Sequence, residues 1–236
     1  MGTLEVLQNT AHSGQHRLTA HQMVRDTLRL AILSGRLPGG TRLVQADIAT
    51  TLNVSTTPVR EALRELASDG LIQFDPHRGA VVHELDMEEL KEIYVIRMVL
   101  EPLAVRLAAE RLTKEQLARA AELLREMDDT DDPGWWVERN WQFHSLIEQA
   151  AGSRRLAAVI KTVQNSATLY VAHSVQLNPA RMREGNAEHK ALLSALNKRD
   201  GDKAAEILEK HLNRTMQGIL KSADASDQPV PGGRAR

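Results

Sequence analysis

The sequence predicts a mainly α protein in two parts, an N-terminal winged helix-turn-helix and a C-terminal all-α antiparallel helical bundle. Three observations lead there. Before Asp86 the punctuation runs helix, helix, turn, helix and then two short strand-like runs. After Asp86 only helical periods follow, joined by short connections. Aromatics make up 3% of the 236 residues while Ala and Leu abound, a composition suited to helices packed on helices.

Residues 1–17 are polar and without periodicity, and are expected to form a disordered tail. The domain expected over 18–85 starts with a helix over 20–34, stopped by "SGRLPGG", followed by helices over 45–52 and 56–69. Ser55 is a natural N-cap for the third helix, Pro58 is tolerated in its first turn, and Gly70 ends it. The runs "LIQF" (71–74) and "AVVHEL" (80–85), joined by "DPHRG", read as two strands and a tight turn. The domain expected over 86–221 holds six helices, 87–111, 114–127, 134–151, 154–174, 179–198 and 201–220. The stretch 222–236, "SADASDQPVPGGRAR", reads as a second disordered tail.

Composition narrows the chemistry. Thirty Lys and Arg against 31 Asp and Glu leave a formal charge of -1, so any binding of nucleic acid must rest on local placement of basic groups. With no cysteine there are no disulfides or thiolate metal sites, and a metal would be held by His, carboxylate, amide or water. No run approaches the roughly 18 apolar residues of a membrane span, and the N-terminus lacks the charged-then-apolar order of a signal peptide. A cytoplasmic protein without membrane contact is expected.

In "ADIATTLNVSTTPVREALRELASDGLI", the apolar positions Ile48, Ala49, Leu52, Val54, Val59, Ala62, Leu63 and Leu66 pack two short helices together. They leave Thr56, Thr57, Arg60 and Arg64 on a free face, where hydroxyls would bond phosphates and Arg would take a phosphate or guanine O6 and N7. The alternative is a solvated helical hairpin in which Arg60 and Arg64 pair with Glu61, Glu65 or Asp69. The run "LPGGTRLVQADIATTLNVSTTPVREALRELASDGLI", followed by "RGAVV", resembles the N-terminal domain of the GntR family of bacterial transcription regulators over 18–85 without a gap. That resemblance implies that Ser55, Thr57 and Arg60 contact the backbone and bases of double-stranded DNA, that Arg42 lies near the backbone, and that Gly79 shapes the wing. It also implies a homodimer on a palindromic operator. Thr56 departs from the family pattern, which usually has Arg there, so operator sequence does not carry over.

Polar residues interrupt the inward stripes of the bundle. Asn140 and His144, at the ends of "NWQFH", share a face with Val137, Ile147 and Ala151. His189 lines up with Met182, Leu192 and Leu196, and His211 with Leu208, Leu212 and Thr215. Three imidazoles and an amide oxygen from three helices would suit a divalent cation, zinc or nickel best, with open positions for a ligand. The alternative for each His is a satisfied core residue, bonded to a backbone carbonyl or a Glu such as Glu188. Arg97 follows Ile93 on its own stripe and would either grip a carboxylate bidentately or pair with Glu101 one turn on.

"IYVIRMVLEPLAVRLAA", "NWQFHSLIEQAAGS", "EHKALLSAL" and "RDGDKAAEILEKH" resemble, in order and spacing, the FadR C-terminal ligand-binding domain, in its VanR-like six-helix branch, over 86–220. The resemblance maps metal ligands onto Asn140, His144, His189 and His211, and an effector-binding arginine onto Arg97. Asn140 stands where many members have Asp; it keeps the oxygen donor but not the charge, which favours an anionic partner for the cation. His173 and Tyr170 are candidates for the same cavity, and Trp135, Trp136 and Trp141 are expected to pack the start of their helix. The expected function is a DNA-binding regulator, a repressor by default, that senses a small organic acid through a metal-containing pocket. The alternative is a regulator for which the cation itself is the signal. A metalloenzyme lacks a positioned general base, since Glu188 is expected to point away from the ligand beside it.

Overall fold

A computed structural model of the chain describes residues 19–226. Both expected tails, 1–17 and most of 222–236, lie outside the described residues. The elements are α1 (Ala20–Leu33), α2 (Gln45–Leu52), α3 (Thr56–Ser68), β1 (Ile72–Asp75), β2 (Gly79–Val82), α4 (Met87–Ala109), α5 (Lys114–Asp128), α6 (Pro133–Gln149), α7 (Arg154–Leu177), α8 (Ala180–Asn197) and α9 (Gly201–Ser226). The last helix runs on into the stretch read as a tail. No described helix is long and apolar enough to cross a membrane.

The N-terminal part is built as its local signals dictate. Thr19 and Gln22 form a reciprocal capping box at the start of α1. Asn53, at φ 51°, turns the chain out of α2, and Gly70, at φ 72°, turns it out of α3. Ser55 takes the N-cap position of α3, but its side chain makes no capping bond. Val24, Leu28, Val59, Ala62, Leu63 and Leu66, all fully buried, knit α1 to α3. The wing is an antiparallel hairpin, Ile72 opposite Val82 through Asp75 opposite Gly79. It starts one residue later than "LIQF" suggests and stops at Val82, because His83–Asp86 turn away to cap α4. A bridge from Arg42 to Val81 adds the segment before α2 to its edge.

The bundle repeats the pattern of local caps. Asp86, Thr113, Asp132 and Ser153 accept backbone N–H groups at the starts of α4, α5, α6 and α7. Helices α4 and α9 pack closely together, as do α5 with α6 and α4 with α7. One continuous apolar core joins the two parts. Polar contacts cross the junction as well: Arg29 donates to Glu138 at 2.7 Å, Asn165 donates to Asp69 at 2.8 Å, and Gln176 donates to the Leu33 carbonyl at 2.7 Å. Gly134 permits a close approach, since a Cβ there would lie 3.0 Å from the side chain of Ser34.

Candidate nucleic-acid interface and metal centre

The first candidate surface is the outer face of α3. Ser55, Thr56, Thr57, Arg60 and Arg64 are all exposed, with Arg42 exposed beside them on the segment bridged to β2. Of the three acidic residues that could pair with the arginines, Glu65 and Asp69 are engaged elsewhere, while Glu61 is exposed and, among the described residues, in no ion pair. Glu65 takes Arg25 at 2.9 Å and His21 at 3.0 Å, and Asp69 takes Asn165 and Arg29. Among the described residues neither Arg60 nor Arg64 forms an ion pair, so their guanidinium charge stays available for phosphate or base edges.

At the wing tip Asp75 accepts the backbone N–H groups of His77 and Arg78, each at 2.7 Å, and those bonds hold its carboxyl below the usual range. Gly79 follows at φ 76°, a conformation a side chain would strain, which is how it shapes the wing. Arg78, which the sequence did not single out, donates from this turn to the Gly40 carbonyl at 2.8 Å.

The second candidate is buried in the bundle, where α6, α8 and α9 bring His144, His189 and His211 together. Their potential ligand atoms all lie within 4.8 Å of one another. His144 Nε2 is 3.2 Å from His189 Nε2. Two imidazole nitrogens each about 2.0–2.1 Å from one cation would lie about 3.0–3.4 Å apart, so this separation suits a shared ion. Burial, then the charge of His211, holds both His144 and His189 well below the ordinary imidazole range, in the neutral form a metal requires.

His211 Nδ1 sits 2.7 Å from Glu188 Oε2, which leaves its Nε2 as the ligating nitrogen. Asn140, one turn before His144, has its Oδ1 buried and without a hydrogen-bond partner, as expected of an atom that serves a ligand. The donor set therefore fits a divalent cation. One detail departs from a complete outer shell: His189 Nδ1 is also buried without a partner.

A cavity of about 60 Å³ opens beside this cluster, lined among others by Tyr94, Arg97, Asn140, His144, Ser174 and His211. Arg97 reaches it, but its guanidinium is already engaged, with Nε 2.6 Å from Glu101 Oε1 and Nη2 3.4 Å from Oε2. Arg97 thus forms the pair with Glu101 that was the alternative reading, and it also lines the cavity.

Several neighbours were missed or misplaced by sequence reasoning. Glu188 bonds not to the adjacent His189 but to His211 and Arg214, the kind of Glu partner weighed for a core His. Glu148 completes a ladder of fours with Asn140 and His144. It accepts from Gln164 at 2.6 Å, and burial, reinforced by Glu101, pushes its carboxyl well above the usual range. Glu101, His144 and Glu148 also come within ligand distance of one another, but both carboxyls there already have partners.

Tyr170 does not line the cavity: its hydroxyl lies 2.6 Å from Glu89 and accepts from the Asp86 N–H, tying α7 to the start of α4. His173 borders a different cleft, between the two parts. The cavity is faced instead by Val171 and Ser174, each one residue and about 100° of helix away. Trp136 is buried, stacks on His189 and lines the cavity; Trp141 donates to Asn165 at 2.8 Å.

Comparisons with known proteins agree on both halves. Residues 20–82 match the model of the bacterial regulatory proteins of the gntR family, and residues 92–214 match the FCD domain. The chain is 31% identical over 216 residues to a "probable D-xylose utilization operon transcriptional repressor" of Paenarthrobacter nicotinovorans, covering 91% of this chain and 95% of that protein. It is 28% identical over 207 residues to the HTH-type transcriptional repressor RspR of Escherichia coli K12, covering 84% and 88%. The solved structure of E. coli McbR/YncC superposes with a TM-score of 0.74 at 27% identity, over 87% of this chain and 99% of that one.

Proposed function

The chain belongs to the gntR family of bacterial regulatory proteins with an FCD domain, a family of DNA-binding transcription regulators and not of enzymes, and from that premise we propose that it is a repressor that answers to a small organic acid bound beside a divalent cation. The observation that carries this reading is the placement of Arg97, His144 and His211 around one cavity, with His189 clustered against the two imidazoles. His144, His189, His211 and Asn140 would hold the cation, zinc or nickel by donor type. When bound, it supplies positive charge and open coordination positions for an anionic oxygen. Arg97 would exchange its pair with Glu101 for the carboxylate of the acid, a planar match of fork to fork.

The same helix supports a route to the DNA. Arg97 lies on α4, and a link of four residues separates α4 from the end of the wing at Val82. An acid that binds one arrangement of α4 better than another shifts operator affinity by that difference in free energy.

A homodimer on a palindromic site fits the surface of α4. Val95, Val99, Leu103 and Leu107 repeat every fourth residue and are between 37% and 66% exposed, an apolar ridge that a second copy would cover. The second reading, in which the cation alone is the signal, rests on the Arg97–Glu101 pair, since a guanidinium that keeps its partner has no need of an acid.

The test is a titration of metal-loaded protein on operator DNA with a panel of short organic acids, run beside chelation alone. Release of DNA by an acid at constant metal content supports the acid reading. Release by chelation with no response to any acid supports the metal signal instead.

A further inference from the structure

Among the described residues, two hydroxyls on the cavity wall stand out by making no hydrogen bond of normal geometry. Tyr94 is fully buried and its hydroxyl has no partner; Ser174 is 1% exposed and its Oγ has none. Both line the cavity beside Arg97.

The contrast with other hydroxyls of the same helix is informative. Thr162, Ser166 and Thr168 on α7 each donate to the carbonyl four residues back, at 3.2, 3.4 and 2.9 Å. Ser174 could do the same with Tyr170 and does not. Thr215, across the cavity, also satisfies itself, on the His211 carbonyl at 2.9 Å. Buried hydroxyls left unbonded are costly, and both belong to the lining of the cavity that Arg97, Asn140 and His144 also line.

We propose that Tyr94 and Ser174 select for a short hydroxycarboxylate, holding its alcohol while Arg97 and the cation hold its carboxylate. This deepens the organic-acid reading and rests on it. The assignment follows from chemistry. The charged groups of the site match the carboxylate, whereas a phenol and a serine hydroxyl each donate and accept, and an alcohol does both in return. Size agrees: 60 Å³ of room accommodates about half a dozen non-hydrogen atoms, which suits an acid of three or four carbons.

The test uses the full-length, metal-loaded protein and calorimetry with matched acids that differ only in the hydroxyl: L-lactate, D-lactate and 3-hydroxypropionate against propionate. Wild type is expected to prefer a hydroxy acid by about tenfold or more. Tyr94→Phe and Ser174→Ala, each checked for an unchanged melting profile, are expected to lower affinity for that acid about 5–10-fold and leave propionate within about twofold.

A 2-hydroxy acid can also chelate a cation, so a preference that survives in both variants would mean chelation alone and overturn the proposal. So would equal losses for hydroxy acid and propionate, which would place the two hydroxyls on the carboxylate. Equal binding of both acids by wild type defeats the hydroxyl assignment and leaves the carboxylate reading standing. Binding of neither defeats both. If Tyr94→Phe fails to fold, Ser174→Ala carries the comparison.

Discussion

The recognition helix and the bundle core handle charged and polar residues in opposite ways. On α3, Arg60 and Arg64 stand in solvent, with Glu65 drawn off by Arg25 and His21 and Asp69 by Arg29 and Asn165. In the bundle, Arg97, Glu101, His144 and His189 are at most 7% exposed and placed against one another. Exposed charge costs little to maintain and acts only when a polyanion arrives, so the first site is a surface waiting for a partner. Buried imidazole and unpartnered amide oxygen cost stability unless something binds them, so the proposed second site would gain stability from a ligand. Substitutions should therefore separate cleanly: changes on α3 alter DNA affinity at constant metal content, and changes in the bundle alter metal first.

The largest effect is expected from His144→Ala. Removing a direct ligand should cost more than the roughly 10–100-fold that loss of an outer-shell partner costs, so purified protein should fall from stoichiometric metal to almost none. Elemental analysis against wild type checks this; equal metal in both would remove His144 from the site. Next comes Arg60→Ala, which should weaken operator binding about 10–100-fold in a fluorescence anisotropy assay while leaving metal content unchanged. A loss of metal in this variant would break the division between the two regions.

The two regions also differed in how far the sequence disclosed them. The α3 surface was legible because its chemistry is local: cap position, apolar register and free face all fall within "VSTTPVREALREL", and the exposed set lies where the helical period puts it. Ser55 was right in position but makes no capping bond, a matter of side-chain rotamer that periodicity does not encode. In the bundle the imidazole positions were legible from the stripes, because three inward His on three helices share one core.

The partners of those residues were legible only in kind, since Glu188 was an alternative partner for a core His without its being clear which His it meets. Glu188 belongs to His211, 23 residues away on the next helix, and its direction depends on how α8 and α9 are rotated against each other. Tyr170 and His173 missed the cavity by one residue each, an error of about 100° that hydropathy alone does not resolve on a helix buried on several sides. For Arg97 the sequence could not separate its alternatives, since pairing with Glu101 and facing the cavity demand the same side of α4.

A smaller effect, and one that sharpens the bundle's side of the comparison, is expected from Asn140→Asp. The change adds a negative charge where Oδ1 is buried without a partner, and affinity should rise with ligand charge by about tenfold. Calorimetry with zinc or nickel reads it, and no gain would mean that Asn140 is not a direct ligand. The same variant should respond less to an organic acid, because the added carboxylate lowers the net positive charge that an anion meets.

The smallest effect is on the stability of the metal-free protein against pH. Burial, followed by the charge of His211, keeps His144 and His189 neutral in the folded state well below the ordinary value of 6.5. The unfolded chain takes up protons at both positions as pH falls through that value, while the folded chain does not. Stability is therefore fully present above about pH 6.5 and declines below it, with a limiting slope of about 1.4 kcal/mol per pH unit for each imidazole. Thermal melts of chelator-treated protein between pH 7.5 and 5.5 should show that decline, and His144→Leu with His189→Leu should flatten it. An unchanged slope in the double variant would assign the acid sensitivity to groups outside the cluster, and with it would go the argument that the folded core holds these two imidazoles neutral and ready for a cation.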